Sequence, residues 1–271
     1  MKCIYINLDS ASARRLAVEQ NFAQHRHPGW ELERFPAVDA LEVERQAVPG
    51  AIRAGEKGCF LSHKAVITRN LDTMAPILVM EDDAIWGCST SPTIENFLSV
   101  SDHYAWDIIF TDVCIPQPAQ MLELIRKRHE LTDMQQVTLL DLSEYVFAGS
   151  TSYVVNHRSI RKLHAFMDGA EVMDLPYDLW LRKLVFEGKL KALAFFPFIT
   201  SLSDDSDASQ IQQAGAADML WNAFRKLVWV DRDLAAVTPL MAKIDAELGD
   251  EESRLFGKLF SGLASKSFVS K

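Results

Sequence analysis

The sequence has few cysteines, and no two of them lie close together. Cys3, Cys59, Cys88 and Cys114 form no C-x-x-C pair, which argues against a zinc site built from cysteines alone and against a disulfide framework. Long apolar runs are missing as well: no stretch reaches the roughly 18 residues that a membrane-crossing helix needs. Near the N-terminus the apolar Ile4–Ile6 is cut by Asn7 and Asp9, too soon for the core of a signal peptide. Together these absences point to the reducing cytoplasm. Positive charge is in deficit, with 28 Lys and Arg against 37 Asp and Glu and a formal net charge of −9, which speaks against a nucleic-acid binder. Glycine (12) and proline (10) stand at ordinary levels in 271 residues, so neither a fibrous nor a disordered chain is expected.

What is present suits a folded enzyme-sized domain. With 48% hydrophobic residues, the chain can bury the core of one sizeable α/β domain, or of one domain with a smaller appendage. The acidic balance fits a protein that holds divalent cations, and equally a protein that is merely well solvated.

Lys2–Leu8 (KCIYINL) reads as a buried first strand. Asp9 or Ser10 is placed to cap a helix over Ala11–Gln24, with Arg14 and Arg15 near its start. Cations there oppose the helix dipole, so the pair serves either a ligand or a solvated surface. Leu32–Val38 reads as a strand, Ala40–Arg53 with its Pro49-Gly50 as loop or short helix, and Gly55–Met74 as a helix on the spacing of Leu61, Ala65, Thr68 and Leu71. The strands expected next are Ile77–Met80, Asp107–Thr111, Gln136–Leu142, Tyr145–Phe147, Ser150–Val155 and Leu190–Phe196. Helices are expected between them at Thr93–Ser101, Pro116–Leu131, Ser159–Met167 and Tyr177–Glu187. Such alternation predicts a mostly parallel sheet with helices on both faces. Ser201–Ser209 is a polar break, and Gln210–Trp229 and Pro239–Phe260 read as helices beyond it. The expected division is a main domain over residues 1–205 and a helical extension over 206–271.

The chemistry gathers behind one strand. Ile77–Met80 runs directly into Glu81-Asp82-Asp83, and ligands of open α/β sheets bind beyond the carboxyl ends of strands. On an extended backbone Glu81 and Asp83 face one side and Asp82 the other. Like charges so close repel unless a cation or a proton relieves them. Carboxylate oxygens with no histidine or cysteine nearby suit Mn²⁺ or Mg²⁺ rather than zinc. Such a cation can bridge the phosphates of a nucleotide diphosphate and stabilise its charge as a sugar–phosphate bond breaks. A plain solvated turn at a strand end is the alternative.

Three segments together resemble glycosyltransferase family 25, whose members build lipopolysaccharide or lipooligosaccharide outer cores. They are Ile4-Tyr-Ile-Asn-Leu-Asp9 with Arg14-Arg15, Gly58-Cys-Phe-Leu-Ser-His63, and Ile77-Leu-Val-Met-Glu-Asp-Asp83. Weaker likenesses follow at Gly149-Ser-Thr-Ser-Tyr153 and Leu175-Pro-Tyr-Asp178, so the resemblance spans roughly residues 1–205. It implies a GT-A-like, Rossmann-like fold, a UDP-sugar donor (most often UDP-galactose) and transfer with inversion. It puts Asn7 and Asp9 beside the nucleotide, Arg14 near its phosphates or base, and Ser62 and His63 in the donor pocket. Glu81 and Asp83 take the metal motif, with Asp83 the direct ligand, and Asp82 counts among the donor-binding residues. Beyond Phe196 the chain offers Asp204, Asp205 and Asp207 but no histidine as a further ligand, and past residue 210 it matches no family motif.

An inverting transfer needs a base for the acceptor hydroxyl. Asp178 is the first candidate and Asp174 the second; Asp178 is also placed to cap a helix or to complete a metal shell. His63 is either a satisfied structural histidine or a hydrogen-bond partner of the donor. Tyr153, Tyr177 and Trp180 either stack on sugar rings or fill the core, and Cys59 reads as a packed thiol. Trp221, Phe224, Trp229, Phe256 and Phe260, with Arg225, Lys226, Arg254 and Lys258 interspersed, form either a face for the inner membrane surface or a helical cap on the main domain. The expected partners are a nucleotide-sugar donor and a saccharide or lipid-linked saccharide acceptor. The rivals are a metal-dependent phosphohydrolase or nucleotidyltransferase, and a non-catalytic scaffold of envelope assembly.

Overall fold

A computed structural model of the chain describes residues 1–203, 216–247, 250–252, 255 and 259. The first strand, β1 (Lys2–Asn7), is buried from Cys3 onward without alternation, the pattern of a strand covered on both faces. It leads into α1 (Ser12–His25), and the chain returns as β2 (Glu31–Pro36). Asp39 caps the short α2 (Ala40–Arg45) by accepting from Glu42 N–H at 2.7 Å. In α3 (Ala54–Arg69), Glu56 reaches back to Arg53 N–H at 2.9 Å. Gly58 lets that helix press on the chain after β2: a Cβ there would stand 2.3 Å from the Val38 carbonyl oxygen.

Next come β3 (Ile77–Glu81), β4 (Ala84–Trp86), α4 (Thr90–Val100) and β5 (Ile108–Phe110). A proline at its first position opens α5 (Pro118–Asp133), where the missing N–H costs nothing. After it come β6 (Thr138–Asp141), β7 (Ser152–Val155), α6 (Ile160–Asp168), α7 (Tyr177–Phe186), β8 (Ala192–Phe196) and β9 (Thr200–Leu202). The last two described helices are α8 (Ala216–Val228) and α9 (Leu234–Glu247).

The main sheet has seven strands in the order β2-β1-β3-β7-β5-β8-β6, and β4 pairs with β9 in a small second sheet. β1, β2, β3, β5 and β8 share one direction, while β6 and β7 run against it. Side chains of α1 and α4, with Trp30 and Trp86, cover one face. Those of α3, α5, α6, α7 and α8 cover the other. The expected α/β sheet of mostly co-directional strands with helices on both faces is borne out. Among the described residues no helix is long and apolar enough to cross a membrane.

Several local expectations need correction. The residue before α1 is Ala11, with no side-chain cap; Asp9 instead pairs with Arg34 at 2.6 Å. Tyr145–Phe147 is irregular chain, with only Ala148 bridging to Cys114. Two short strands were not foreseen: β4, and β9, which overlaps the start of the expected polar break. α9 begins before Pro239 and carries it within the helix. Asp204, Asp205, Asp207, Arg254, Phe256, Lys258 and Phe260 lie outside the described residues.

Candidate active site

The strand order sets the place. β2 and β3 lie on opposite sides of β1, with α1 on one face of the sheet and α3 on the other, and open α/β sheets of this order bind ligands beyond the carboxyl ends of the strands at such a point. Asn7 closes β1 there and Glu81 closes β3. The antiparallel β7 brings its starting residues, Ser150 to Ser152, to the same edge, where Glu81 N–H donates to the Thr151 carbonyl at 2.7 Å.

The three acids part ways, though not by strand alternation. Extended backbone ends at Glu81, and Asp82 and Asp83 make the turn into β4. Asp82 accepts from Asn7 Nδ2 at 2.6 Å and lies 3.3 Å from Arg14 Nη1. Burial, aided by the Glu81 charge, raises its pKa against those two partners. Glu81 accepts from Ser150 Oγ at 3.0 Å and faces His63 Nε2 at 3.7 Å. Burial pushes Glu81 up, but His63, Ser150 and Arg225 pull it below the usual carboxylate value. Asp83 is the opposite case: its Oδ1 is buried with no hydrogen-bond partner. Burial, then the charges of Glu81 and Asp82, push its carboxyl up to about 7, against Arg225 and Arg14. A half-buried carboxyl with one enclosed, unpartnered oxygen has a place for a proton or a cation.

His63 connects the acids to the core. It is fully buried on α3, its Nδ1 is 2.8 Å from Tyr153 Oη, and its ring stacks on Tyr177 at 4.2 Å. Tyr153 and Tyr177 share a hydrogen bond of 2.9 Å and are themselves buried, so they fill the core and offer no ring face to a sugar. Trp180 packs on Phe60 at 5.0 Å between centroids. One helical turn before His63 stands Cys59. Its sulfur, a His63 ring nitrogen and a Glu81 carboxylate oxygen all lie within 4.8 Å of one another. The expectation that no histidine or cysteine stands near the acids is therefore overturned. The i, i+4 spacing of Cys59 and His63 was visible in the sequence, but their meeting with β3 depends on tertiary packing.

The sequence model of glycosyltransferase family 25 (LPS biosynthesis protein) matches residues 1–181. The chain belongs to glycosyltransferase family 25. The description of that family is one of lipopolysaccharide biosynthesis. No curated protein matches the sequence. Among solved structures, mouse xyloside xylosyltransferase 1 in its apo form is similar at 11% identity and a TM-score of 0.32. The alignment covers 70% of this chain and 63% of that one, and a likeness so loose carries no inference about substrate.

Other residues of this family 25 glycosyltransferase that the sequence singled out are placed as follows. Arg34 links Asn7 Oδ1 at 3.0 Å to Asp9 Oδ1 at 2.6 Å, so Asn7, Asp9, Asp82 and Arg14 form one connected group. Arg15 turns away to Glu19 on its own helix at 3.1 Å. Ser62 is buried, accepting from Val38 N–H at 2.8 Å and donating to the Gly58 carbonyl at 2.7 Å; both bonds go to backbone. Asp178 lies in the first turn of α7, where Pro176 holds the cap position. Its Oδ2 accepts from Gly149 N–H at 2.7 Å, beside Ser150. Asp174 stands apart on an exposed loop, accepting from Ala51 N–H at 2.9 Å.

The family 25 match stops short of Arg225, one of the residues read as either a membrane face or a helical cap, and its packing is that of a cap. Arg225 on α8 is 5% exposed and donates from Nε to the fully buried Asp112 at 2.9 Å. Its Nη2 donates to Thr151 Oγ1 at 2.8 Å, and Asp112 also accepts from Thr200 Oγ1 at 3.0 Å. Phe224 and Lys226 are buried too, so this part of the basic-aromatic face is not open to a membrane. The signal was available: Trp221, Phe224, Arg225 and Val228 share one helical stripe.

Proposed function

We propose that this glycosyltransferase moves a hexose, galactose first among the candidates, from a UDP-sugar to a saccharide of the lipopolysaccharide core. In this reading the transfer is metal-dependent and inverting. It takes place in the cytoplasm or at the inner face of the cytoplasmic membrane, where lipid-linked acceptors are found. The observation that carries it is Asp83: a half-buried carboxyl whose Oδ1 is enclosed and unpartnered, raised to about 7 by its surroundings, in the turn just past the end of β3.

Those surroundings fit a divalent cation. Asp83 and Glu81 would hold it, and their hard oxygens suit Mn²⁺ or Mg²⁺. When bound, such an ion supplies charge stabilisation to a diphosphate leaving group. The chain's own residues do the rest. Arg14, now 3.3 Å from Asp82, serves the phosphates. Asn7 and Asp82, held to each other and to Arg34 through Asn7, are fixed in orientation toward the nucleotide. Asp178 is the base: Gly149 N–H fixes one carboxylate oxygen and the other receives the acceptor's proton. Asp174 remains the second choice, weakened by its position on an exposed loop.

The experiment is titration of UDP into wild type and Asp83→Ala with Mn²⁺ present, together with a screen of UDP-sugars for turnover. The variant should lose both metal-dependent UDP binding and transfer. Unchanged affinity for UDP with metal in Asp83→Ala would refute the role. Asp178→Asn should keep UDP binding and lose about 10²–10⁴ in kcat, the range of a positioned base.

A further inference from the structure

We propose a second metal site in this protein, formed by Cys59, His63 and Glu81, that takes a thiophilic cation of the Zn²⁺ or Co²⁺ class. Three observations meet there. The ligand atoms lie within 4.8 Å of one another, against the roughly 3.5 Å separating neighbouring ligands in a tetrahedral site. Small side-chain rotations close that difference. His63 is fully buried, and its Nε2 has no hydrogen-bond partner while facing Glu81 at 3.7 Å. Finally, the opposite ring nitrogen is already engaged, with Nδ1 2.8 Å from Tyr153 Oη. That is the arrangement of a metal-bound histidine, whose second nitrogen is fixed by an outer partner.

The donor set selects the ion. A thiol, an imidazole and one carboxylate are a borderline-soft set, suited to zinc or cobalt and poor for magnesium. Cys59 and Glu81 are only half-buried, so a cation has access from solvent. The carboxyl groups of Glu81, Asp178, Asp83 and Glu56 surround Cys59; on binding, the thiol proton is released to solvent and sulfur ligates as the thiolate. The same negative surroundings attract the ion. Three protein ligands leave a fourth position for water. Because Glu81 is shared with the cation site of the donor reading, an ion here draws Glu81 away from Asp83 and competes with the transfer reaction.

The test uses Co²⁺ alone, added to the metal-stripped full chain under reducing conditions and followed by absorption. Wild type should show a near-ultraviolet sulfur-to-cobalt charge-transfer band with visible bands of tetrahedral cobalt. Zn²⁺ should abolish them and Mg²⁺ should not. Cys59→Ser, nearly isosteric, should lose the charge-transfer band while keeping its thermal unfolding profile. Tyr153→Phe should weaken Co²⁺ binding about tenfold, the effect of losing an outer hydrogen bond. Asp83→Asn should leave the band in place while losing metal-dependent UDP binding, which separates this site from the donor site. No sulfur-to-cobalt band in wild type, or a band that persists in Cys59→Ser, overturns the proposal.

Discussion

Arg225 Nε donates to Asp112 Oδ2 at 2.9 Å, across 113 residues of chain, and so ties α8 to the residues just past β5. Both side chains are buried, and a buried ion pair broken on one side leaves an uncompensated charge. Arg225→Met should therefore destabilise the fold by about 3–5 kcal/mol. The double variant with Asp112→Asn should recover most of that, because no charge is then stranded. Urea denaturation midpoints of the two singles and the double close the cycle; simply additive losses would mean that the pair is not coupled.

The fold was legible to the extent that burial follows simple periodicity. KCIYIN and ILVM announce β1 and β3, and the acids behind ILVM stand where β3 ends. β7 was found but not its direction, because a four-residue strand buried throughout carries no sign of which way its neighbours run. β4 and β9 were missed for a related reason: each has three residues, and each is stabilised by pairing with the other rather than by its own pattern. In the site, the residues contributed by one segment were readable. The contacts of Glu81 with His63 and Cys59, and of Arg225 with Asp112, join segments far apart in sequence and follow only from packing.

Asp83 should make the metal-free protein sensitive to pH. Its folded-state pKa of about 7 lies above the ordinary 3.8, so folding favours the protonated form. The stability gained by keeping it neutral is complete below about pH 4 and is lost as pH rises through about 7, with a ceiling of about 4 kcal/mol at roughly 1.4 kcal/mol per pH unit. Asp83→Asn removes this loss. The variant should gain on wild type as pH rises toward 8, and Mn²⁺ should restore wild type alone by binding the folded state. Thermal unfolding across that range, with and without Mn²⁺, checks both. Parallel curves for the two proteins would mean that Asp83 is not held neutral.

Ser62 separates a structural role from a donor-binding one. Its hydroxyl receives Val38 N–H and bonds the Gly58 carbonyl, fixing α3 to the chain that follows β2. Ser62→Ala leaves the Val38 donor unpaired and should cost about 1–3 kcal/mol. UDP affinity measured by calorimetry should stay within error of wild type. A loss of affinity with unchanged stability would put Ser62 on the ligand instead.

Gly149 holds Asp178 in place through a backbone shape that side chains resist. Its φ is +88°, and in that shape its N–H points at Asp178 Oδ2 at 2.7 Å. Gly149→Ala must either accept strain of about 1–3 kcal/mol or relax to negative φ and turn the N–H away. The first outcome lowers stability and leaves the base where it is. The second frees Asp178 to rotate, so kcat falls while the KM for the donor stays level, because the residues proposed to contact the nucleotide, Asn7, Asp82 and Arg14, are untouched. Steady-state kinetics combined with unfolding midpoints distinguishes the two. A rise in donor KM alone would contradict both, and would place Gly149 against the nucleotide rather than behind the base.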